Sequence, residues 1–147
     1  SLKDGTKKMS KSELSDLSRV NLTDQKDEIT NKIKKAKTDP HPMPSTVEEL
    51  DKRPEAKNLI GIYSSLTGAP LEKSINEFSG KNFSDFKDKL AEIIVDKISP
   101  ISEEIKKLEK DPKFIDDILL DGSKKAEKHL KNLTILTLVN YLCSLIY

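Results

Sequence analysis

The sequence has 147 residues, of which 35% are charged and 35% hydrophobic, and its formal net charge at pH 7 is +1. This length suffices for one domain with a buried core. The balanced charge excludes a protein that is basic throughout, so any contact with nucleic acid must rely on local lysine clusters. The lone Cys143 excludes an internal disulfide, and His41 and His129 lack partners at zinc-ligand spacing.

The start of the chain is predicted to be irregular. Leu2 and Lys3 could end a strand, Asp4-Gly5 is a strong turn signal, and residues 6–18 carry no sustained apolar period, which indicates a loop. Ser1 opens neither a signal nor a transit peptide, because no basic region is followed by an apolar one. We therefore expect the chain to begin at an internal cut in a longer protein.

This predicted loop contains the sequence Lys8-Met9-Ser10-Lys11-Ser12. Two ammonium groups three residues apart can clamp a polyphosphate, since each offers three donors and a compact charge. The hydroxyls of Ser10 and Ser12, with exposed backbone N–H groups, can donate to non-bridging phosphate oxygens. The pattern predicts a site for a departing pyrophosphate, and the alternative for Lys8 and Lys11 is a solvated basic loop.

Residues 23 to 80 are predicted to form three helices and one short helical turn. Thr23 could cap the first helix, whose acidic start and basic end suit the helix dipole. The prolines of residues 39–44 force an extended connection, after which Ser45 opens a capping-box pattern. The next two helices, over residues 54–68 and 70–80, begin at proline and end at glycine. Apolar core positions are Ile29, Ile33, Ala36, Leu59, Ile62, Tyr63, Leu66, Leu71, Ile75 and Phe78.

Longer helices are predicted after residue 80. Ser84 could cap one that Ser99-Pro100 should break or kink, and Asp111-Pro112 starts another that Gly122 closes. Their apolar positions are Phe86, Leu90, Ile93, Ile94, Ile98, Ile101, Ile105, Leu108, Phe114, Ile115, Ile118 and Leu119. Residues 133–147 are almost entirely apolar but too short for a membrane span of about 20 residues. We interpret them as a buried terminal helix, with a dimer contact or a membrane-surface element as alternatives.

The lysine-containing pattern and its flanks resemble the bacterial or organellar tryptophanyl-tRNA synthetases, which belong to class I of the aminoacyl-tRNA synthetases. Residues 8–12 match the signature loop of that class. The other matching segments are residues 1–7, 15–24, 32–39, 53–66, 78–92 and 100–101. The resemblance therefore covers nearly everything up to about Gly122.

The resemblance implies an all-α helical bundle, the anticodon-binding domain, over residues 23–147. Residues 1–22 would be the end of a Rossmann-type catalytic domain, whose His-Ile-Gly-His signature and tryptophan pocket are expected upstream. Such enzymes join tryptophan to the α-phosphate of ATP, release pyrophosphate and pass the tryptophanyl group to tRNA. The resemblance also implies Mg²⁺ bound with ATP, a homodimer without membrane contact, and a bacterial cytoplasmic or organellar matrix location. This chain alone is expected to be inactive.

By the same resemblance, Lys8 and Lys11 would be catalytic and would stabilise the leaving pyrophosphate, while Met9, Ser10 and Ser12 would complete the ATP-binding loop. Three lysine clusters follow: Lys32, Lys34, Lys35 and Lys37; Lys106, Lys107 and Lys110; and Lys124, Lys125, Lys128 and Lys131. We interpret them as solvated helix faces, some of which should meet tRNA phosphates. The tRNA-binding residues stay unassigned.

Aspartates near the loop are not expected to catalyse the reaction. The attacking carboxylate is already ionised and needs no general base, so we interpret Asp16, Asp24 and Asp27 as helix caps and surface charges. Two alternatives stay open. One is a tyrosyl-tRNA synthetase, against which residues 58–63 and 78–92 argue. The other is a non-catalytic helical interaction module that docks to a partner or membrane through its C-terminal helix.

Overall fold

The computed structural model describes residues 1–144, which contain helices and no strand. A 3-10 turn at Asp16–Ser18 precedes helices α1 (Lys26–Lys34), α2 (Val47–Asp51), α3 (Pro54–Thr67), α4 (Leu71–Phe78), α5 (Phe83–Glu109) and α6 (Pro112–Ser144). The predicted all-α class is confirmed. The chain divides into two compact units, Ser1–Ile105 and Lys106–Tyr147.

The first unit is built around a cluster of buried aromatic and aliphatic side chains. Phe78 makes edge-to-face contacts with Tyr63 and Phe86, at ring-centroid distances of 4.9 and 4.8 Å. The aliphatic part of the core comprises Leu2, Ile29, Ile33, Ala36, Met43, Leu50, Ala56, Leu59, Ile60, Ile75, Leu90, Ala91 and Ile94. Burial of each large side chain contributes roughly 1.5 to 3 kcal/mol before chain entropy is counted. This core holds α1, α3, α4 and α5 together.

Helix starts differ from the prediction in three places. α1 is capped by Gln25 instead of Thr23, and Gln25 forms a capping box with Glu28, whose carboxylate accepts from the Gln25 N–H at 2.7 Å. α2 is capped by Thr46 instead of Ser45, and its hydroxyl accepts from the Glu49 N–H at 3.2 Å. In the third case, Ser84 lies inside α5, which already starts at Phe83.

The helix end predicted at Gly122 is wrong, and α5 runs on through Pro100, so the break that was one of the two outcomes expected there does not occur. Pro100 removes one backbone hydrogen bond, and two residues later the buried Ser102 hydroxyl accepts from the Gln25 amide at 2.7 Å. This contact ties the segment of α5 around Pro100 to the start of α1. Gly122 costs a helix interior about 1 kcal/mol, which the 33 residues of α6 tolerate. By contrast, Gly68 ends α3 as predicted, with a φ of +71°.

The second unit consists of the end of α5 and α6. The apolar positions predicted for a core here are exposed: Phe114 by 48%, Ile118 by 55% and Leu119 by 65%. Helical spacing of apolar residues did not lead to their burial, so the core prediction is wrong for these positions. The predicted buried helix at 133–147 extends beyond the described residues. No helix among those described is long and apolar enough to cross a membrane.

Candidate functional site

The two ends of the predicted loop are joined at its base. The Leu2 N–H donates to the Ser18 carbonyl at 2.8 Å, and the Leu2 carbonyl accepts from the Lys37 N–H at 2.7 Å. These hydrogen bonds are not continued into a β-ladder, because the chain turns after Leu2. Leu2 and Lys3 therefore do not form the end of a strand, as the sequence had suggested they could. Residues 3–17, hereafter the lysine loop, therefore project from a base that is fixed to the segment after α1.

Gly5 fixes the inner side of the lysine loop against α3. A Cβ on Gly5 would lie 2.3 Å from the Pro54 carbonyl oxygen and 2.6 Å from the Glu55 nitrogen, too close for any other residue without movement of the backbone. The adjacent Asp4 carboxylate accepts from the N–H and hydroxyl of Thr6, at 3.0 and 2.6 Å. The turn predicted at Asp4-Gly5 thus packs against the start of α3.

The five residues predicted to meet ATP occupy the outer part of the loop. Lys8, Lys11 and Ser12 are exposed, and Met9 is 37% exposed. Neither lysine ammonium has an ion-pair or hydrogen-bond partner among the described residues. The Ser10 and Ser12 hydroxyls are hydrogen bonded to each other at 2.9 Å. Both cations are therefore available to an anionic ligand without first breaking a contact.

Two surface hollows flank the lysine loop. The first, of about 510 Å³, is lined by Ser1, Lys3, Asp4, Lys7, Lys8, Ser10, Glu13 and Ser18. The second, of about 420 Å³, is lined by Met9, Ser10, Lys11, Arg19, Val20, Asn21, Leu22 and Thr23. Lys8 and Lys11 thus border different hollows, while Ser10 borders both. An extended ligand such as a polyphosphate could reach both lysines by lying across Ser10.

Arg19 holds the outer limb of the lysine loop, residues 10–13. Its guanidinium donates to the carbonyls of Ser10 (3.3 Å) and Glu13 (3.1 Å) and to the Asn21 side-chain oxygen (3.1 Å). It also forms an ion pair with Asp16 at 3.1 Å. Sequence reasoning missed this role, because nothing in the spacing of a lone arginine after the loop reveals which carbonyls it meets.

Behind Arg19, Lys32 of α1 connects the loop to the helical core. Its ammonium lies 2.6 Å from a carboxylate oxygen of both Asp16 and Asp24. Burial alone would lower the pKa of Lys32, but hydrogen bonds from its ammonium to both carboxylates raise that pKa overall. The hydrogen bond from Lys32 in turn holds the pKa of the Asp16 carboxyl below its usual value.

The interpretations of Lys32 as a solvated cation and of Asp24 as a surface charge are therefore wrong. Lys32 is 3% exposed and Asp24 is 5% exposed. One signal in the sequence indicated this burial: Lys32 lies three residues after Ile29 and next to Ile33, which places it on the apolar face of α1. A lysine on such a face needs carboxylate partners.

The remaining lysines of the three clusters are exposed. Lys37 pairs with Glu55 at 2.8 Å, and Lys34 lies 3.6 Å from Asp88. On α6, Lys125 and Lys131 pair with acidic residues one turn earlier. These lysines are solvated, as predicted, although Lys35 and Lys37 follow the end of α1 and do not lie on a helix face. Among the described residues there is no group of three or more His, Cys, Asp or Glu that could hold a metal ion.

Comparison with known proteins gives consistent matches. A family model described as "tRNA synthetases class I (W and Y)" matches residues 1–98. The tryptophan–tRNA ligase of Brucella melitensis is 53% identical over 126 residues, 86% of this chain and 36% of the relative. Those of Caulobacter vibrioides and Rickettsia felis are each 48% identical, over 37% and 38% of their lengths and 87% and 86% of this chain. The chain thus spans little more than a third of the relatives it matches.

Proposed function

Because the chain belongs to the class I tRNA synthetases for tryptophan and tyrosine, we propose that it supplies the pyrophosphate-stabilising loop and the tRNA-binding helices of a tryptophan–tRNA ligase. The observation that carries this proposal is the lysine loop itself, with two exposed and unpaired ammonium groups on a packed base. The choice of tryptophan over tyrosine follows the names of the relatives. The nucleotide and tryptophan pockets would lie in the portion of the relatives that this chain does not cover.

In the first step, a carboxylate oxygen of tryptophan forms a bond to the α-phosphorus of ATP. The bond from that phosphorus to the bridging oxygen breaks, and pyrophosphate leaves with the electron pair. Negative charge therefore grows on the leaving group, where Lys8 and Lys11 would stabilise it more strongly in the transition state than in bound ATP. Ser10 and Ser12 would donate hydrogen bonds to phosphate oxygens, and Met9 would help to seat the loop beside the nucleotide.

Magnesium enters this scheme with ATP. Its preferred ligands are oxygens in octahedral geometry, and in nucleotide-dependent enzymes phosphate oxygens and water supply most of them. The lysine loop offers cations and hydroxyls toward the phosphates, with Asp4 and Glu13 beside the first hollow. Such a donor set suits the polyphosphate chain of the nucleotide more than the metal, which we therefore treat as part of the substrate.

In the second step, the tryptophanyl group passes to the terminal ribose of tRNA(Trp). We assign residues 1–22 to the catalytic domain and residues 23–147 to the helical domain that binds the anticodon. The exposed Lys34 and Lys35 at the end of α1 are candidates for contacts with tRNA phosphates, which would make binding weaker at higher salt. The full-length enzyme is proposed to be a homodimer in the bacterial cytoplasm.

The role of the loop is tested by Lys11→Ala in the full-length ligase. Tryptophan-dependent exchange of pyrophosphate into ATP should slow by about 100-fold or more, because a positioned charge on the leaving group is lost. Folding should be unaffected, since the Lys11 side chain is exposed. Lys73→Ala is the matched control, because Lys73 is an exposed lysine on α4. Unchanged exchange in the Lys11 variant would contradict the assigned role.

A further inference from the structure

The outer limb of the lysine loop, residues 10–13, contains Lys11, and Arg19 holds this limb in position. Among the described residues, its other polar contacts are internal: the Ser10 and Ser12 side chains bond to each other, and the N–H groups of Ser12 and Glu13 turn back to Ser10. Arg19 alone among the described side chains ties the carbonyls of Ser10 and Glu13 to the rest of the unit. This guanidinium is therefore the side chain that holds the backbone on both sides of Lys11.

Arg19 is itself held in place by a charge-balanced group. One oxygen of Asp16 forms an ion pair with Arg19 at 3.1 Å and accepts from the Asn21 amide, and its other oxygen lies 2.6 Å from the Lys32 ammonium. Lys32 also contacts the buried Asp24, so that two cations meet two carboxylates. The group runs from the loop to α1. We propose that Arg19 is a positioning residue for Lys11 in the adenylation step, with Lys32 as its buried anchor; this inference rests on the proposed function of Lys11.

Arginine suits this role because its planar group donates in several fixed directions at once. It serves two carbonyls, one carboxylate and one amide oxygen, whereas a lysine ammonium on a flexible stem has three donors and no fixed fork. Misplacement of a catalytic group by about 1 Å can slow a reaction by about 100-fold. Loss of Arg19 should therefore lower kcat for pyrophosphate exchange and leave the KM for tryptophan unchanged, because Arg19 acts on the loop.

The test is a double-mutant cycle in the full-length ligase, with pyrophosphate exchange as the readout. Arg19→Met should lower kcat by about 10- to 100-fold in the parent enzyme. In the Lys11→Ala background, the same change should have less than about a 3-fold effect, because the group that Arg19 positions is already absent. Arg19→Lys, which keeps the charge for Asp16, should also lower kcat; it serves in place of Arg19→Met if that variant does not fold.

Arg53→Met is the matched control. Arg53 also binds a carboxylate, that of Asp39, and two carbonyls, those of Pro42 (2.7 Å) and His41 (3.2 Å), but it does so outside the lysine loop. It should reduce stability without lowering kcat. Equal kcat losses in the Arg53 and Arg19 variants, or independent effects of Arg19 and Lys11, would overturn the positioning role. A Lys11→Ala enzyme with normal exchange would instead overturn the function proposed for the loop.

Discussion

At the scale of single residues, Lys32 shows how a charge can be structural within a lysine-rich segment. The Lys32 side chain is 4% exposed and that of its partner Asp24 is 6% exposed, while the side chains of Lys34 and Asp88 are each 60% exposed. Because the Lys32–Asp24 pair is desolvated, removal of one partner strongly destabilises the fold. The Lys34–Asp88 pair stays solvated, so its loss has little effect on stability. Lys32 and Lys34, two positions apart in the same cluster, thus have opposite roles, and burial decides which role each has.

This difference predicts the stability of two matched variants. Lys32→Met should lower the free energy of unfolding by about 3 kcal/mol, because it leaves Asp24 buried without its cation. Lys34→Met should change it by less than about 1 kcal/mol, because the Lys34–Asp88 pair is exposed. Urea unfolding of the two variants, followed by circular dichroism, measures both values. Equal stability of the two variants would contradict the buried ion-pair assignment.

At the scale of elements, local signals predicted the helices whose limits are set locally. Pro54 starts α3 because it lacks only an N–H that the first turn of a helix leaves unused. Gly68 ends α3 because it adopts a positive φ. The contact that ties α5 near Pro100 to the start of α1 could not be predicted, since Ser102 and Gln25 are 77 residues apart in the sequence. In the same way, Lys8 and Lys11 were predicted from their spacing, whereas Arg19 and Lys32 act through contacts that only the fold creates.

The contact between the lysine loop and α3 gives a prediction for the loop as an element. Gly5→Ala should lower the free energy of unfolding by about 1 to 3 kcal/mol, because its Cβ would meet the backbone of Pro54 and Glu55. Gly61→Ala is the matched control: a Cβ there meets nothing within 4 Å, and alanine favours the interior of α3 by up to about 1 kcal/mol. Urea unfolding distinguishes the two, and a Gly5 variant as stable as the parent would show that the loop base is not packed on α3.

At the scale of the whole molecule, family membership was predictable from the sequence, because residues 8–12 and their flanks carry a pattern that the family model also matches. What the sequence could not show is how the loop is supported, since it is held by Lys37 and Pro54 at its inner side and by Arg19 at its outer limb, contacts that only the fold creates. The chain matches little more than a third of the length of its relatives. The complete reaction is therefore a property proposed for the full-length ligase.

The central claim is tested most directly by amino-acid-dependent pyrophosphate exchange with the full-length protein. With ATP and Mg²⁺ present, tryptophan should support exchange of labelled pyrophosphate into ATP, and tyrosine at the same concentration should not. Exchange that requires tyrosine, or no exchange with either amino acid, would contradict the assignment to tryptophan–tRNA ligase.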